Sequence, residues 1–370
     1  SERDASLLLP GTTDMNGNES VSPMTPETAH LHPTAATGDE GTPARRSWIG
    51  ERFGTSSLDY AIPPAANRLR YMLGGLTFFG ILILIVTGIF LDQFYNPSPV
   101  GAHDSILYIM TRVRLGNWVR ALHYWAATLV FVSVFLHLVF VFWRRSYSRP
   151  RAGVGLAVLI FVLIFTGTVL RGDQEGTEAL EHAVAGGKMA GPPGAVISPD
   201  FAASTSLLAR LHNLHVSVLP LLLIGLIGLH FALIRIHGIH SHQPKTARFS
   251  QHARRLTGFA LLLFAGIGVL AAVFPPGIGH PGIEGVEVTK PFWPFLWIYA
   301  VENTVGMTGM LFAPVILFGF LFAVPLLDRG NHETTVRPRW LTAAAVLMLV
   351  LYIGGIAYGV IAPQKEHMGM

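Results

Sequence analysis

The sequence contains no cysteine and few charged residues. Among its 370 residues, 13% are Asp, Glu, Lys or Arg and 51% are hydrophobic, with a mean hydropathy of +0.47. The absence of cysteine excludes disulfides, thiolate metal ligands and covalent attachment of a prosthetic group through a thioether in this chain. The charge is too low to cover a water-soluble globule of this size, so the composition indicates a membrane protein.

Most of the basic residues lie beside apolar runs. The formal net charge is +4, and a nucleic-acid partner is not expected because basic residues at membrane boundaries set topology. In a seven-span arrangement, 18 of the 26 Lys and Arg residues fall on the side of the N-terminus. The positive-inside rule therefore predicts a cytoplasmic N-terminus and an outside C-terminus.

Seven apolar runs are long enough to cross the roughly 30 Å hydrocarbon core of a bilayer. They lie at residues 71–95, 117–143, 153–171, 207–236, 255–274, 295–327 and 340–362. Each must be helical, because an isolated segment in lipid satisfies its backbone N–H and C=O groups only within itself. The predicted fold is an all-α membrane protein, with a four-helix bundle followed by three further transmembrane helices.

Composition divides the chain into three parts. Residues 1–46 are rich in Ser, Thr, Pro and Gly without apolar periodicity, which predicts a disordered cytoplasmic tail. Residues 47–245 hold the first four spans, and residues 246–370 hold the last three. Two long connections, 172–206 and 275–294, are rich in Gly and Pro, and loops of this length often cover a site.

Two of the predicted helices carry two histidines each. His137 follows His123 by fourteen positions, and His230 follows His215 by fifteen. At 100° and 1.5 Å per residue, both intervals return to nearly the same helix face after about 21 to 22 Å. Two facing helices would pair His123 with His215 near the outer surface and His137 with His230 near the inner one. Each pair can bind the iron of a heme b from both sides, so the pattern predicts two hemes stacked across the membrane.

Hydrogen-bonded structural histidines are the alternative for any single position. Ionisable side chains in lipid are costly, and four in one shared geometry favour ligation. Two glycine pairs repeat the fourteen-position interval: Gly74 with Gly88, and Gly153 with Gly167. A position without a side chain lets a flat macrocycle approach the backbone, although glycine is also common in membrane helices for packing.

Three arginines near the histidines are candidates for binding heme propionates. Arg120 and Arg210 precede the outer histidines by three and five residues, and Arg235 follows His230 by five. A guanidinium binds a carboxylate through two parallel hydrogen bonds. Extension of the side chain from a helix end toward water is the alternative, weighed equally for Arg235.

The histidine pattern and three short motifs resemble the cytochrome b of Rieske/cytochrome b complexes, over roughly residues 48–362. The motifs are Tyr71-Met-Leu-Gly-Gly75, Tyr108-Ile-Met-Thr111 and His215-Val-Ser-Val-Leu-Pro220. Together with the longer interval between His215 and His230, they resemble the plastid and Gram-positive branch of the family. In that branch the four-helix and three-helix parts are often separate chains, whereas here they would be fused.

The resemblance implies an electron-transferring subunit of a quinol:cytochrome c oxidoreductase in a prokaryotic plasma membrane. It implies that the outer histidine pair binds a low-potential heme b and the inner pair a high-potential one, with quinol oxidised outside and quinone reduced inside. The implied partners are a Rieske iron–sulfur protein and a c-type cytochrome, in a complex that is usually a homodimer. Met72 stands where this branch usually has the cysteine that attaches an extra heme, so no covalent heme is expected.

The family's quinol-oxidation motif, Pro-Glu-Trp-Tyr, is changed here to Pro291-Phe292-Trp293-Pro294. The resemblance places the quinone region at Pro291, Trp293 and Tyr299, but phenylalanine cannot accept the proton that the family's glutamate takes. Glu302 is the nearest candidate for this catalytic role, because a carboxylate in a membrane span is costly and often functional. A structural role for Glu302 is an equal alternative, and the further candidates are Glu284, Glu287 and Asp173.

Two other functions stay open. The missing glutamate favours a diheme membrane anchor for another oxidoreductase, such as a molybdenum enzyme, with one working quinone site and no electron bifurcation. A transporter or a structural membrane protein is the third possibility. A Rieske subunit that co-purifies with the chain would distinguish the first function from the second, and the absence of bis-histidine heme spectra would favour the third.

Overall fold

Helices make up most of the described chain. The computed structural model describes residues 52, 59–147, 152–239, 243–328 and 337–367, so the predicted tail at 1–46 lies outside the described residues. In chain order the helices are α1 (Leu69–Asp92), α2 (Ala102–Thr111), α3 (Gly116–Trp143), α4 (Ala152–Val169), α5 (Gln174–Ala190), α6 (Leu207–His237), α7 (Phe249–Val273), α8 (Leu296–Val305), α9 (Met307–Leu327) and α10 (Arg339–Ile361). Seven of these, all except α2, α5 and α8, are long and apolar enough to cross a membrane. The predicted all-α membrane fold with seven spans is confirmed.

Short elements connect the helices. They are 3-10 turns at Pro64–Asn67, Pro192–Ile197, Pro199–Phe201 and Trp293–Phe295, and two strands, β1 (Ala61–Ile62) and β2 (Ala247–Arg248). The strands pair antiparallel with Ala61 opposite Arg248. They therefore join the chain just before α1 to the chain just before α7.

The sixth predicted span, residues 295–327, consists of two helices. α8 ends at Val305 and α9 begins at Met307, and Gly306 between them has a φ of +82°. Glycine adopts this left-handed conformation without steric cost, and it ends a helix. Only α9 is long enough to span, so Glu302 lies on a short helix that precedes the span.

The first four spans pack around a central apolar cluster. Its buried members come one or two from each of α1, α3, α4 and α6: Ile81, Val130, Ile160, Leu223 and Ile227. Val130 is equally distant in sequence from His123 and His137. The cluster therefore lies between the two levels at which the histidines occur.

The two long connections form a structured cap over one end of the bundle. Residues 172–206 contain α5, whose first turn is capped by the side chain of Asp173. Residues 275–292 are bound to α5, because Gln174 and Glu178 accept hydrogen bonds from the main-chain N–H groups of Ile283 and Val288, both at 2.8 Å. We call the end that carries α5 and residues 275–295 the cap end, and the end that carries β1 and β2 the strand end.

An ion-pair cluster closes the strand end. Asp328 after α9 is 2% exposed and pairs with Arg145 and Arg337. Guanidinium groups stay charged throughout the physiological pH range. This cluster therefore joins the last turn of α9 to the connection between α3 and α4 without depending on pH near neutrality.

Candidate cofactor and substrate site

The four predicted histidines lie as two pairs inside the bundle. His123 on α3 is close enough to His215 on α6 for their charges to interact, and His137 is likewise paired with His230. Since α3 and α6 both begin at the cap end, the first pair lies there and the second lies toward the strand end. The structure brings together the same partners that the sequence pattern pairs.

Glycines on neighbouring helices make room for the cap-end imidazoles. A Cβ added at Gly88 on α1 would lie 3.4 Å from the ring of His123. A Cβ added at Gly167 on α4 would lie 3.1 Å from the ring of His215. Side chains at these positions would press on the two rings.

The strand-end pair has the same arrangement. A Cβ at Gly74 would lie 3.1 Å from the ring of His137, and one at Gly153 would lie 3.7 Å from the ring of His230. The sequence predicts that the glycines make room for a macrocycle. In the structure the room beside each glycine is occupied by an imidazole, which lets the ring lie between two closely packed helices.

Two threonines hold the cap-end imidazoles. Oγ1 of Thr87 is 2.8 Å from Nδ1 of His123, and Oγ1 of Thr166 is 2.8 Å from Nδ1 of His215. Each hydroxyl also donates to a main-chain carbonyl one turn earlier, so it accepts from Nδ1–H. Both rings then have a free lone pair on Nε2, the form in which neutral imidazole binds a metal.

Sequence reasoning missed these threonines, although a signal was present. Each directly precedes a cap-end glycine, so the dipeptide Thr-Gly occurs on both α1 and α4. The corresponding residues at the strand end are Leu73 and Ala152. There the Nδ1 atom of His137 is buried and has no hydrogen-bond partner among the described residues.

A π-helical segment explains how two different histidine intervals reach the same two levels. His215 lies within Leu214–Val218, where the N–H of Leu219 bonds the carbonyl of Leu214, five residues back. Such a segment inserts one extra residue into an α-helix. The fifteen-position interval on α6 therefore corresponds to the fourteen-position interval on α3.

These observations fit two heme b groups. Two facing imidazoles at each level are the donor set of a bis-histidine heme. The cap-end rings have Nε2 free to bind a metal. A glycine beside each of the four rings leaves space for the imidazole between closely packed helices. Ligation by the four histidines stays a prediction that this geometry supports.

The three arginines predicted to bind propionates make other contacts. Arg120 donates to two carbonyl groups of residues 275–292, at 2.6 and 3.1 Å. Arg210 donates to two carbonyl groups in the cap after α5, but its Nε is buried without a partner among the described residues. Arg235 lies over the ring of Tyr60, 4.1 Å from its centroid. Propionate binding by these three residues stays a prediction.

The altered motif, residues 291–294, runs beside the cap-end histidine pair. Phe292 packs on Tyr124, with ring centroids 5.3 Å apart, and Tyr124 directly follows His123 in α3. Trp293 packs edge-on against a phenylalanine of α3 at 5.2 Å. The segment that the resemblance assigns to quinol oxidation therefore contacts the helix that carries the cap-end histidine.

Glu302, the predicted proton acceptor, lies in a cluster of ionisable side chains at the cap end. It is 4% exposed, and its Oε1 is 3.3 Å from Nε2 of His182, which is also 2.9 Å from Glu287. Burial opposes a charge on His182, but the hydrogen bond and charge of Glu302 and the charge of Glu287 outweigh it and raise the His182 pKa to about 9. At neutral pH the cluster therefore holds a protonated imidazole in contact with Glu302 and Glu287. Sequence reasoning missed His182, which stands alone on a polar helix.

The other candidates have separate positions. Glu287 also contacts His367, whose ring packs against Tyr299. The Tyr299 hydroxyl donates to a carbonyl after α10 at 3.1 Å, so this side chain is held against the chain that follows α10. Asp173 caps α5, which gives it a structural role, and Glu284 is exposed.

An apolar cavity of about 140 Å³ lies between the first four spans and the last three. Rings from α3, α4, α8, α9 and α10 line it: Phe131, Phe161, Trp297, Phe318 and Tyr352. Phe131 is also the ring against which Trp293 packs. The cavity therefore begins beside the altered motif.

Comparison with known families gives a match over the first half of the chain. Residues 58–238 match the family model described as Cytochrome b/b6/petB. This range contains all four histidines and all four glycines of the two levels.

Several curated proteins are similar to this chain. The cytochrome b6 of Heliobacterium mobile is 36% identical over 52% of this chain and 98% of the relative. The menaquinol:cytochrome c reductase cytochrome b subunit of Geobacillus thermodenitrificans is 33% identical over 52% of this chain and 95% of the relative. The cytochrome bc complex cytochrome b subunit of Chlorobaculum thiosulfatiphilum is 28% identical and extends over 85% of this chain and 80% of the relative.

A solved structure has the same fold. A chain described as hyperthermophilic respiratory Complex III aligns with a TM-score of 0.70 and 20% sequence identity, covering 86% of this chain and 91% of that one. The similarity in fold therefore extends beyond the first four spans into the last three.

Proposed function

The chain belongs to the cytochrome b/b6 family, and from this premise we propose that it is the diheme cytochrome b of a quinol:cytochrome c oxidoreductase complex. Relatives named as subunits of a menaquinol:cytochrome c reductase and of a cytochrome bc complex support this activity. The observation that carries the proposal is the histidine quartet, in which every imidazole lies against a glycine of a neighbouring helix.

In this function each histidine pair would hold one heme b through Nε2. His123 and His215 bind at the cap end, and His137 and His230 bind about 21 Å away, the helical rise over the fourteen-position interval. When bound, the hemes supply one-electron redox chemistry at two depths of the membrane. The chain orients the imidazoles and excludes water with the apolar cluster between the two levels.

Quinol is oxidised at the cap end and quinone is reduced at the strand end. Pro291 and Trp293 form the wall of the quinol site nearest the cap-end pair, and the apolar cavity beside Phe131 takes the hydrophobic tail of the substrate. Tyr299 borders the site from the side of the last three spans. This assignment rests on the contact of the altered motif with the helix that carries His123.

The remaining features follow from the family and from charge. We place the cap end outside the plasma membrane of a prokaryote, where a Rieske iron–sulfur protein and a c-type cytochrome accept electrons. Residues 47–245 form the heme-binding part and residues 246–370 the second part of the quinol site. The complex is proposed to be a homodimer.

The companions of the chain test this function. Purification of the intact complex in mild detergent is expected to recover a Rieske [2Fe–2S] protein and a c-type cytochrome, with an α-band that reports two bis-histidine hemes per chain. Phe292 in place of the family's glutamate favours a second function, a diheme anchor without electron bifurcation. A molybdopterin subunit in place of the Rieske protein would establish that second function.

Glu302 is proposed to take part in proton removal from quinol, with His182 as its partner. The variant Glu302→Gln is expected to slow quinol oxidation severely while both hemes remain, because the amide cannot accept a proton. Steady-state reduction of an external cytochrome c by a short-chain quinol measures the effect. Unchanged turnover would remove Glu302 from the proton path.

A further inference from the structure

Glu175, on the first turn of α5, is a carboxylate that neither the composition nor the family motif singles out. Its side chain is 19% exposed, and Oε2 is 2.7 Å from Arg171. Oε1 is buried and has no hydrogen-bond partner among the described residues. One oxygen is therefore held by a cation, and the other is free to accept a hydrogen bond or a proton.

The Glu175 carboxylate lies beside the altered motif. The main-chain N–H of Phe292 is close enough to the Glu175 carboxylate to lower its pKa. The same carboxylate is within electrostatic range of the Tyr124 hydroxyl. Phe292 packs on the Tyr124 ring, and Tyr124 follows His123. Glu175, the altered motif and the cap-end heme ligand thus form one neighbourhood, assembled from α3, α5 and residues 275–292.

Charged groups surround Glu175 on every element that packs there. Arg171 and Asp173 flank it on its own segment, and Arg120 of α3 lies within electrostatic range of both. Burial is the largest influence on Glu175 and raises its pKa, Asp173 raises it further, and Arg171 and the Phe292 N–H oppose them; the net direction is upward. A carboxyl group whose pKa moves toward neutrality can both accept and release a proton at physiological pH.

We propose, on the basis of the function proposed above, that Glu175 is the catalytic carboxylate that accepts a proton from quinol at the cap end. It supplies from α5 the group that Phe292 does not supply from the motif. Conversion of quinol to quinone releases two electrons and two protons. One quinol O–H bond breaks as Oε1 takes its proton, and the second proton goes to a base on the partner iron–sulfur protein. The two electrons would leave to two one-electron acceptors, the partner iron–sulfur protein and the heme that His123 and His215 would hold.

The geometry of α5 places a second ionisable side chain on the same helix face as Glu175. His182 is seven residues after Glu175, so it lies on nearly the same helix face about 10.5 Å away. His182 contacts Glu302 and Glu287, at 3.3 and 2.9 Å. Glu175 is therefore the first acceptor, and the His182 cluster receives the proton afterwards.

The test uses the intact complex, a short-chain quinol and an external cytochrome c. Glu175→Gln is expected to lower turnover by about tenfold to a hundredfold, with both hemes retained in the reduced-minus-oxidised spectrum. Wild-type turnover should rise with pH as the carboxyl group loses its proton. This rise, the acid limb of the pH profile, should be absent from the variant. Asp104→Asn removes an exposed carboxylate of α2 and is expected to leave turnover and profile unchanged.

A second variant separates catalysis from a merely structural ion pair with Arg171. Phe292→Glu in the Glu175→Gln background returns a carboxylate to the same neighbourhood and is expected to recover most of the lost turnover. Unchanged turnover in Glu175→Gln, or a loss that keeps the acid limb and is not recovered by Phe292→Glu, would overturn the proposal. If Glu175→Gln does not assemble, Glu175→Asp takes its place, and a wild-type acid limb in that variant overturns the proposal. Absence of quinol oxidation in the wild-type complex would instead contradict the proposed function.

Discussion

The cap-end and strand-end histidine pairs pack against glycines in the same way, but they differ in the hydrogen bonds that their rings make. At both ends each imidazole lies against a glycine of a neighbouring helix. At the cap end, Thr87 and Thr166 accept hydrogen bonds from the rings. At the strand end, neither ring makes a hydrogen bond to a described residue, and Nδ1 of His137 is buried without a partner there.

This difference separates the position of a metal ligand from its strength as a donor. The packing of each ring against a glycine determines where an iron can be held. A hydrogen bond to Nδ1 makes an imidazole a stronger donor, which favours the oxidised iron and lowers its potential. The threonines therefore give a physical reason for the low-potential heme to lie at the cap end, as the family resemblance implies.

The ends also differ in their ionisable groups. The cap end has Glu175 and the cluster of His182, Glu287 and Glu302, whereas the strand end has Asp328 between two arginines. Imidazole and carboxyl groups with raised pKa can exchange protons near neutral pH, and arginine cannot. Among the described residues, the cap-end cluster therefore contains a group that titrates near neutral pH, whereas the Asp328 cluster does not.

Removal of a ligand is expected to have the largest effect and to act on one end at a time. His123→Ala and His137→Ala should each remove about half of the reduced α-band absorbance, because each pair holds one iron. Redox titration should leave the higher-potential component in the first variant and the lower-potential one in the second. The control is His252→Ala, which removes a buried histidine outside the quartet. A full α-band after replacement of any of the four histidines would contradict the assignment of two histidines to each heme.

Replacement of glycine by alanine should test how closely each glycine packs against its imidazole. Gly167→Ala at the cap end and Gly74→Ala at the strand end place a Cβ 3.1 Å from an imidazole, whereas Gly153→Ala places it 3.7 Å away. Alanine is favoured over glycine in a helix by about 1 kcal/mol, so any loss of heme must come from contact with the ring. Heme content per purified chain should fall in the first two variants and stay near wild type in Gly153→Ala. Equal losses in all three variants would show that the distance to the ring is irrelevant.

The threonine hydrogen bonds should change potential more than occupancy. Thr87→Val keeps the side-chain shape and removes the acceptor for His123, so the potential of the cap-end heme should rise by on the order of tens of millivolts, the equivalent of one hydrogen bond of about 1 kcal/mol. The strand-end heme should not change, and the gap between the two potentials should narrow. Thr77→Val breaks a hydrogen bond between Thr77 and Ser133 and should shift neither potential. A shift of both hemes in Thr87→Val would mean that the threonine acts through packing.

The smallest expected effect is a pH dependence of stability from His182. Its pKa is raised from 6.5 to about 9 in the folded chain, so its stabilising contribution is fully present below pH 6.5 and is lost as the pH rises through about 9. Thermal unfolding of the wild-type complex should shift to lower temperature over this range, and His182→Gln should flatten that dependence. Arg145→Lys at the strand end keeps its charge over this range and should leave the slope unchanged.

The sequence by itself determined the membrane class, the seven spans and the four histidines. Their signals are local: lipid requires every span to be a helix, and helix geometry turns the interval between His123 and His137 into a shared face. The break at Gly306 was missed because an apolar run does not reveal a change of direction within it. The π segment at His215 was missed because hydropathy does not report which hydrogen bonds a backbone makes.

Only the tertiary structure decided which groups meet. Thr87 and His123 are 36 residues apart, and Thr166 and His215 are 49 apart. The neighbourhood of Glu175, Tyr124 and Phe292 draws on three segments, of which α5 is polar and carries no strong periodic signal. Glu175 owes its raised pKa first to burial under a folded loop, which outweighs the opposing ion pair with Arg171. Burial depends on the tertiary structure and cannot be read from the order of residues along the chain.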